Sequence, residues 1–235
     1  MAKTYTFADA INLVKKNQAF RQLEDASFAR FAVDEANRLM WGDFDWRESL
    51  AQLTPFYMTP GESDIVSPAI ALPTDIWGFR DVWIRQIFGS NYPLKVLQSL
   101  PISGFESRPT SIMLLQDRTG VRLHPTPASG YGAPYFQIEG WYKKLPTKVL
   151  QTGLNSTLPY EDNFFSVFVE ALRYQYLTLL GLDGGQVVYS AGRSQYTGQL
   201  AKYKAMLTER IGQENIDKGG VQIAPEESLS YGGEW

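Results

Sequence analysis

The chain has no cysteine and only one histidine in its 235 residues. Without thiols there is no disulfide framework, no thiolate zinc site and no cysteine nucleophile, and an intracellular or virion setting is expected. Any Ser-His-Asp triad would have to use His124, but no Gly-x-Ser-x-Gly elbow accompanies it and Pro125 follows at once. Proline biases the preceding backbone towards an extended form, so His124 reads as a residue at a hairpin end making one hydrogen bond. Long apolar runs are missing as well. No stretch of about 18 apolar residues occurs, and the opening MAKTYTFADAINLVKK lacks an unbroken apolar segment, so neither a membrane span nor a secretory signal is expected. Net charge is small, at -3 with a pI near 5.3, which argues against broad electrostatic capture of nucleic acid.

Aromatic residues, in contrast, are plentiful. With 13 Tyr, 13 Phe and 6 Trp, the chain carries more large rings than surface chemistry requires, and both an extensive core and extensive interfaces are expected. At this length a core can form without staples.

The pattern of apolar residues divides the chain. Thr6-Phe7-Ala8-Asp9 is a capping-type helix start, followed by Phe7, Ile11 and Val14 on one face. A second helix runs from Ser27 to Gly42 on Phe28, Phe31, Ala32, Glu35 and Leu39 beside Ala29, Val33, Ala36 and Met40. From Trp46 the helical period disappears, and seven strand-like runs follow: 46–57, 64–71, 78–87, 92–97, 111–116, 121–124 and 135–143. Asp117-Arg118-Thr119-Gly120 reads as a tight hairpin, and 135–142 alternates with a period of two. Helix returns at Glu161 with Phe164, Phe168, Leu172, Tyr176 and Leu179 on one stripe, stopping at Gly181. After the Asp183-Gly184-Gly185 turn a last helix carries Tyr196, Leu200, Tyr203, Leu207 and Ile211. Residues 218–235 are Gly-rich, acidic and aperiodic, the composition of an arm that orders on a partner.

The expected fold class is α+β: a helical bundle from the N- and C-terminal helices, an inserted antiparallel β-sandwich or barrel-like domain, and an extended C-terminal arm. The expected division is 1–45 and 160–217 for the helices, 46–159 for the strands and 218–235 for the arm.

Chemical candidates are sparse. Asp43, Asp45 and Glu48, or Glu62 and Asp64, are close along the chain but lack the ligand rhythm of a calcium loop. Glu139 and Asp81 could in principle be paired carboxylates, though nothing marks them. Gly130, Gly132 and Gly184-Gly185 read as turns and not as phosphate cradles. Asn155-Ser156-Thr157 matches the glycosylation sequon by chance. Lys143-Lys144 with Trp141 and Tyr142 could offer cations and stacking rings to DNA, but strand-end lysines are ordinarily solubilising. No catalytic, cofactor-binding or metal-ligating residue is therefore assigned, and no cofactor is expected.

Several stretches resemble the head-to-tail adaptor (connector, head-completion) proteins of short-tailed bacteriophages. Phe31 to Trp46, FAVDEANRLMWGDFDW, resembles the helix that leads those proteins into their β domain. ALPTDIWGFRDVWI from Ala71, and LHPTP followed by FQIEGWYKKLP, resemble their strand elements. Leu158 to Gly181, LPYEDNFFSVFVEALRYQYLTLLG, resembles the returning helix. The resemblance implies a structural virion protein, not an enzyme, that forms a ring of typically twelve copies in the neck, made in the host cytoplasm. Its partners would be the portal protein, a tail (nozzle or tail tube) protein, its own copies and double-stranded DNA passing without sequence-specific binding. On that reading the arm residues Val221, Ile223, Leu229, Tyr231 and Trp235 are the expected interface anchors. The alternative is a tail-associated module binding a receptor or carbohydrate.

Overall fold

The computed structural model describes residues 4–67, 69–101, 104–149, 153–190 and 193–217. These form a mixed α and β structure whose contacts cluster in two units, one made of 1–46 with 146–235 and the other of 47–145.

In the first unit, α1 (Phe7–Lys15) starts on a capping box: Thr6 accepts the Asp9 N–H, and the Asp9 carboxylate accepts the Thr6 N–H at 2.8 Å. Each bond satisfies an amide that the first helical turn leaves open. A short 3-10 segment, Gln18–Glu24, leads to α2 (Ala26–Asp43), capped by Asp25, whose side chain accepts the Ser27 and Phe28 amides. α3 (Phe165–Leu179) packs against α1, α2 and α4 (Gly198–Asp217). It can do so because Val167, Phe168, Val169, Ala171, Leu172 and Tyr176 make it buried over most of its circumference. Small residues on α2, namely Ala29, Ala32 and Ala36, leave room for α3's rings.

Rings fill the rest of this core. Trp46 makes edge contacts to Phe44, Tyr160 and Phe164 at 4.7–4.8 Å between centroids, and Phe7 meets Phe168 at 5.5 Å. Between α3 and α4 lies a two-stranded hairpin, β11 (Val187–Ser190) and β12 (Arg193–Tyr196). The sequence reading placed Tyr196 on the last helix. Instead it pairs with Val187, and the helix starts at Gly198, where a φ of 59° interrupts regular backbone. At the hairpin base a Cβ on Gly185 would sit 1.9 Å from the Thr197 carbonyl oxygen, so the two chains cross only because Gly185 has no side chain.

The second unit is an eight-stranded sheet, ordered β1-β10-β4-β5-β7-β8-β3 with β2 also on β10. The strands are β1 (Leu50–Gln52), β2 (Phe56–Tyr57), β3 (Asp64–Val66), β4 (Ile76–Gln86), β5 (Asn91–Val96), β7 (Ser111–Leu114), β8 (Gly120–His124) and β10 (Phe136–Lys144). A small parallel pair, β6 (Glu106–Ser107) with β9 (Thr126–Pro127), stands apart. The expectation of a purely antiparallel domain is corrected here, because β5 and β7 are also parallel. Their connection, 97–110, is long enough to bring the chain back to the end from which β5 started, whereas a tight turn would have reversed it. One aliphatic core, including Ile65, Ile76, Val82, Ile84, Ile112, Leu123 and Ile138, is fed by strands from β3 to β10.

Candidate functional site

Several of the residues singled out for chemistry have partners within the fold. His124 ends β8 opposite Ser111, and its carbonyl accepts the Thr110 N–H at 2.9 Å. Its Nδ1 is buried without a partner, so the imidazole hydrogen bond expected there is absent from that nitrogen. Asp43 accepts the buried Tyr203 hydroxyl at 2.7 Å and the Lys204 ammonium at 2.8 Å. Burial, with the nearby Asp43 charge, pushes the Tyr203 and Tyr160 hydroxyls well above the ordinary tyrosine range. Asp64 is held by Arg122 in a two-pronged pair, Nε at 2.7 Å and Nη2 at 2.8 Å, and this hydrogen bonding holds its carboxyl below the usual value. Among the described residues no group of three His, Asp or Glu side chains is placed to hold a metal ion.

Glu139, on β10, is buried at 8 % exposure and accepts the Arg85 guanidinium at 3.0 Å and the Gln137 amide at 2.5 Å. Asp81 is not its register partner: Glu139 pairs with Trp83, while the Asp81 carbonyl lies under Gly140, where a Cβ would come within 2.2 Å. Trp141 to Lys144, read from the sequence as ordinary strand-end residues in preference to a DNA platform, do not share one face. Adjacent strand residues point to opposite faces, so Tyr142 enters the core and donates to Asp75 at 3.2 Å while Trp141 is exposed. Lys143 is buried with its ammonium 5.8 Å from the Trp77 ring. In the sequon, the Ser156 carbonyl accepts the Phe7 N–H and Thr157 bridges to Thr6. The arm residues Val221, Ile223, Leu229, Tyr231 and Trp235 lie outside the described residues.

One surface was not foreseen. Phe88, in the β4–β5 turn, is 87 % exposed, more than any other large apolar side chain among the described residues. Three loops meet at its end of the sheet. The Ile87 N–H donates to the Tyr135 carbonyl at 3.0 Å, Gln86 pairs with Phe136, and Tyr57 pairs with Gln137. Gly61 donates to the Pro127 carbonyl at 2.8 Å, and a Cβ on Gly132 would reach Pro60 at 2.9 Å. Ile87, Phe88, Tyr135 and Tyr57 are exposed there. In a chain where 20 % of residues are charged, residues 56–61, 86–94 and 126–138 contain no Asp, Glu, Lys or Arg. The signal was present in the sequence as that gap, but spread over three separate segments.

A family model described as SU10 adaptor protein matches residues 5–224. The chain belongs to the SU10 adaptor protein family. It is thus a phage structural protein of the head-to-tail adaptor type. No curated protein matches the sequence. No helix among the described residues is long and apolar enough to cross a membrane.

Proposed function

We propose that this adaptor forms a ring, typically of twelve copies, in the virion neck, seated between portal and tail with double-stranded DNA passing through its lumen. The helical unit and the strand unit serve as separate domains of each subunit, a helical body with a strand-rich insertion. The observation that carries the reading is the family match over nearly the whole chain. Exposed aromatic and aliphatic side chains support it, since large apolar residues left in water commonly mark surfaces that assembly covers. A subunit charge of -3, repeated around a channel, would repel the phosphate backbone and let DNA slide without sticking.

The arm, 218–235, is assigned to the portal or to a neighbouring copy. Scattered anchors such as Val221, Ile223, Leu229, Tyr231 and Trp235 let a chain cover much surface when it orders on a partner. The test is deletion of 218–235 followed by co-sedimentation with purified portal. The truncated chain should lose portal association while keeping its unfolding transition. Full portal binding by the truncated chain removes the arm from the contact.

A further inference from the structure

Between α3 and α4 the hairpin of β11 and β12 is a two-stranded sheet of its own, so each strand has one edge without a strand partner among the described residues. Its faces are open as well. Val187 and Val188 point to opposite sides, yet both are exposed, at 39 % and 38 %, and so are Tyr196 and Gln195 across from them. We propose that β12 of one copy pairs antiparallel with β11 of the next, so that the hairpins of a ring close into one up-and-down β-barrel around its axis. The inference rests on the ring reading above and names which edge meets which.

The backbone shows what each edge offers. The Thr197 N–H donates to the Gln186 carbonyl at 3.0 Å, which makes Gln186 and Thr197 a hydrogen-bonded pair. Bonded and non-bonded pairs alternate along an antiparallel ladder, so the N–H and C=O groups of Val187 and Tyr196 point outward to the free edges. Two residues on, Tyr189 and Ser194 repeat the arrangement. Sheets that stay solitary blunt such edges with charge, proline or a bulge. This hairpin does none of these. Its register is unbroken from Val187 with Tyr196 to Ser190 with Arg193, neither strand has a proline, and Arg193 is the only charged residue from 184 to 201. A free two-stranded hairpin is marginal in water, but this one is fixed at its base. A Cβ on Gly198 would come within 2.9 Å of the Gly185 Cα, and the Leu200 N–H donates to the Gly184 carbonyl at 3.0 Å. The strands are thus held ready for pairing, which lowers the ordering cost.

A second copy is the occupant that the two edges select. Head-to-tail association needs two different surfaces on one chain, one given and one taken, and the β11 and β12 edges are such a pair. Rotation about an axis running along the hairpin keeps every β11 in one sense and every β12 in the other, so β12 beside the next β11 continues the antiparallel order. A single foreign strand would fill one edge and leave the other bare, whereas ring closure removes both. Twelve copies would supply about 24 strands, and about 4.8 Å per strand gives a backbone circle roughly 37 Å across before tilt, wide enough to pass a double helix.

The absence of cysteine makes the test clean. Full-length chains with Val188→Cys are mixed with chains carrying Arg193→Cys, Gln195→Cys or Thr197→Cys, assembled on purified portal and oxidised. The three partners cover a level register and a two-residue slip either way. One of the three mixtures should give a disulfide-linked dimer, and chains that all carry Val188→Cys should give none, because β11 meets β12 and not another β11. Val187→Pro removes an outward N–H and no bond inside the hairpin, so it should raise the concentration needed for closed rings about tenfold. Val187→Thr keeps that N–H and should match wild type, and both variants should unfold at the wild-type midpoint. Closed rings by native mass spectrometry with no crosslink in any of the three mixtures overturn the barrel and leave the ring reading standing. Crosslinking among chains that all carry Val188→Cys overturns it too, since the hairpins would then meet as two-fold pairs. So does wild-type ring assembly by Val187→Pro. If the wild-type chain forms no ring with portal present, the ring reading fails and takes this inference with it.

Discussion

The two units differ in where they place most of their aromatic residues, although Tyr5, Phe31 and Tyr196 of the helical unit are exposed and Phe56, Phe79 and Tyr142 of the strand unit are buried. In the helical unit Phe7, Phe20, Trp41, Trp46, Tyr160, Phe164, Phe168 and Tyr176 are buried and make ring-to-ring contacts, and Tyr203 is buried as well. In the strand unit the core is mainly Ile, Val and Leu, while Tyr57, Phe88, Phe105, Tyr135 and Trp141 stand in solvent. Rings packed inside a helical body stabilise it, whereas rings held outside a β unit are available for contact. The lesson is that aromatic content by itself says nothing of interface; its partition does.

That contrast can be broken first at its strongest point. Phe168→Ala in the helical core should cost about 3–5 kcal/mol in urea unfolding, through lost burial and the cavity left behind. Next comes the polar lock between α2 and α4. Asp43→Ala strands the Tyr203 hydroxyl in the core without its acceptor and should cost about 1–3 kcal/mol. A smaller loss by this variant than by an exposed Lys→Ala control would show that the lock is not structural.

Two pH effects follow, of opposite sign. Tyr160 and Tyr203 have hydroxyls raised above the ordinary value of 10.0 by burial, so the unfolded chain ionises first. Their stabilisation is complete below that value and is lost as pH rises beyond it; absorbance titration should show both ionising only on unfolding. Asp64 runs the other way. Arg122 lowers its carboxyl below 3.8, so its contribution is present above that value and disappears as pH falls through the lower folded value. Asp64→Asn should therefore narrow the stability gap between neutral and acid conditions, modestly, because the pair is partly exposed. Smallest of all is the strand unit's tip: Phe88→Ser should change unfolding stability by no more than about 0.5 kcal/mol. A large loss there would erase the distinction between the units.

Periodicity made some of this legible. α2 and α3 each carry an apolar stripe with a clear stop, and the alternation across Phe136–Lys144 marks a strand, although residues on both of its faces are buried. The hairpin at 187–196 was overlooked because its neighbours on both sides read as helix. Its signal lay in the β-branched pair Val187-Val188. Parallel pairing of β5 with β7 had no local signature, since direction depends on where a long connection travels. The tip escaped for a similar reason. Ile87 and Tyr135 are far apart along the chain, and only strand register brings them together.

The central claim is that this chain works by assembling on the portal. Native mass spectrometry of the full chain with purified portal tests it most directly. The account predicts a closed set of copies in fixed ratio on the portal ring, typically twelve; a chain that stays monomeric in the presence of portal contradicts it.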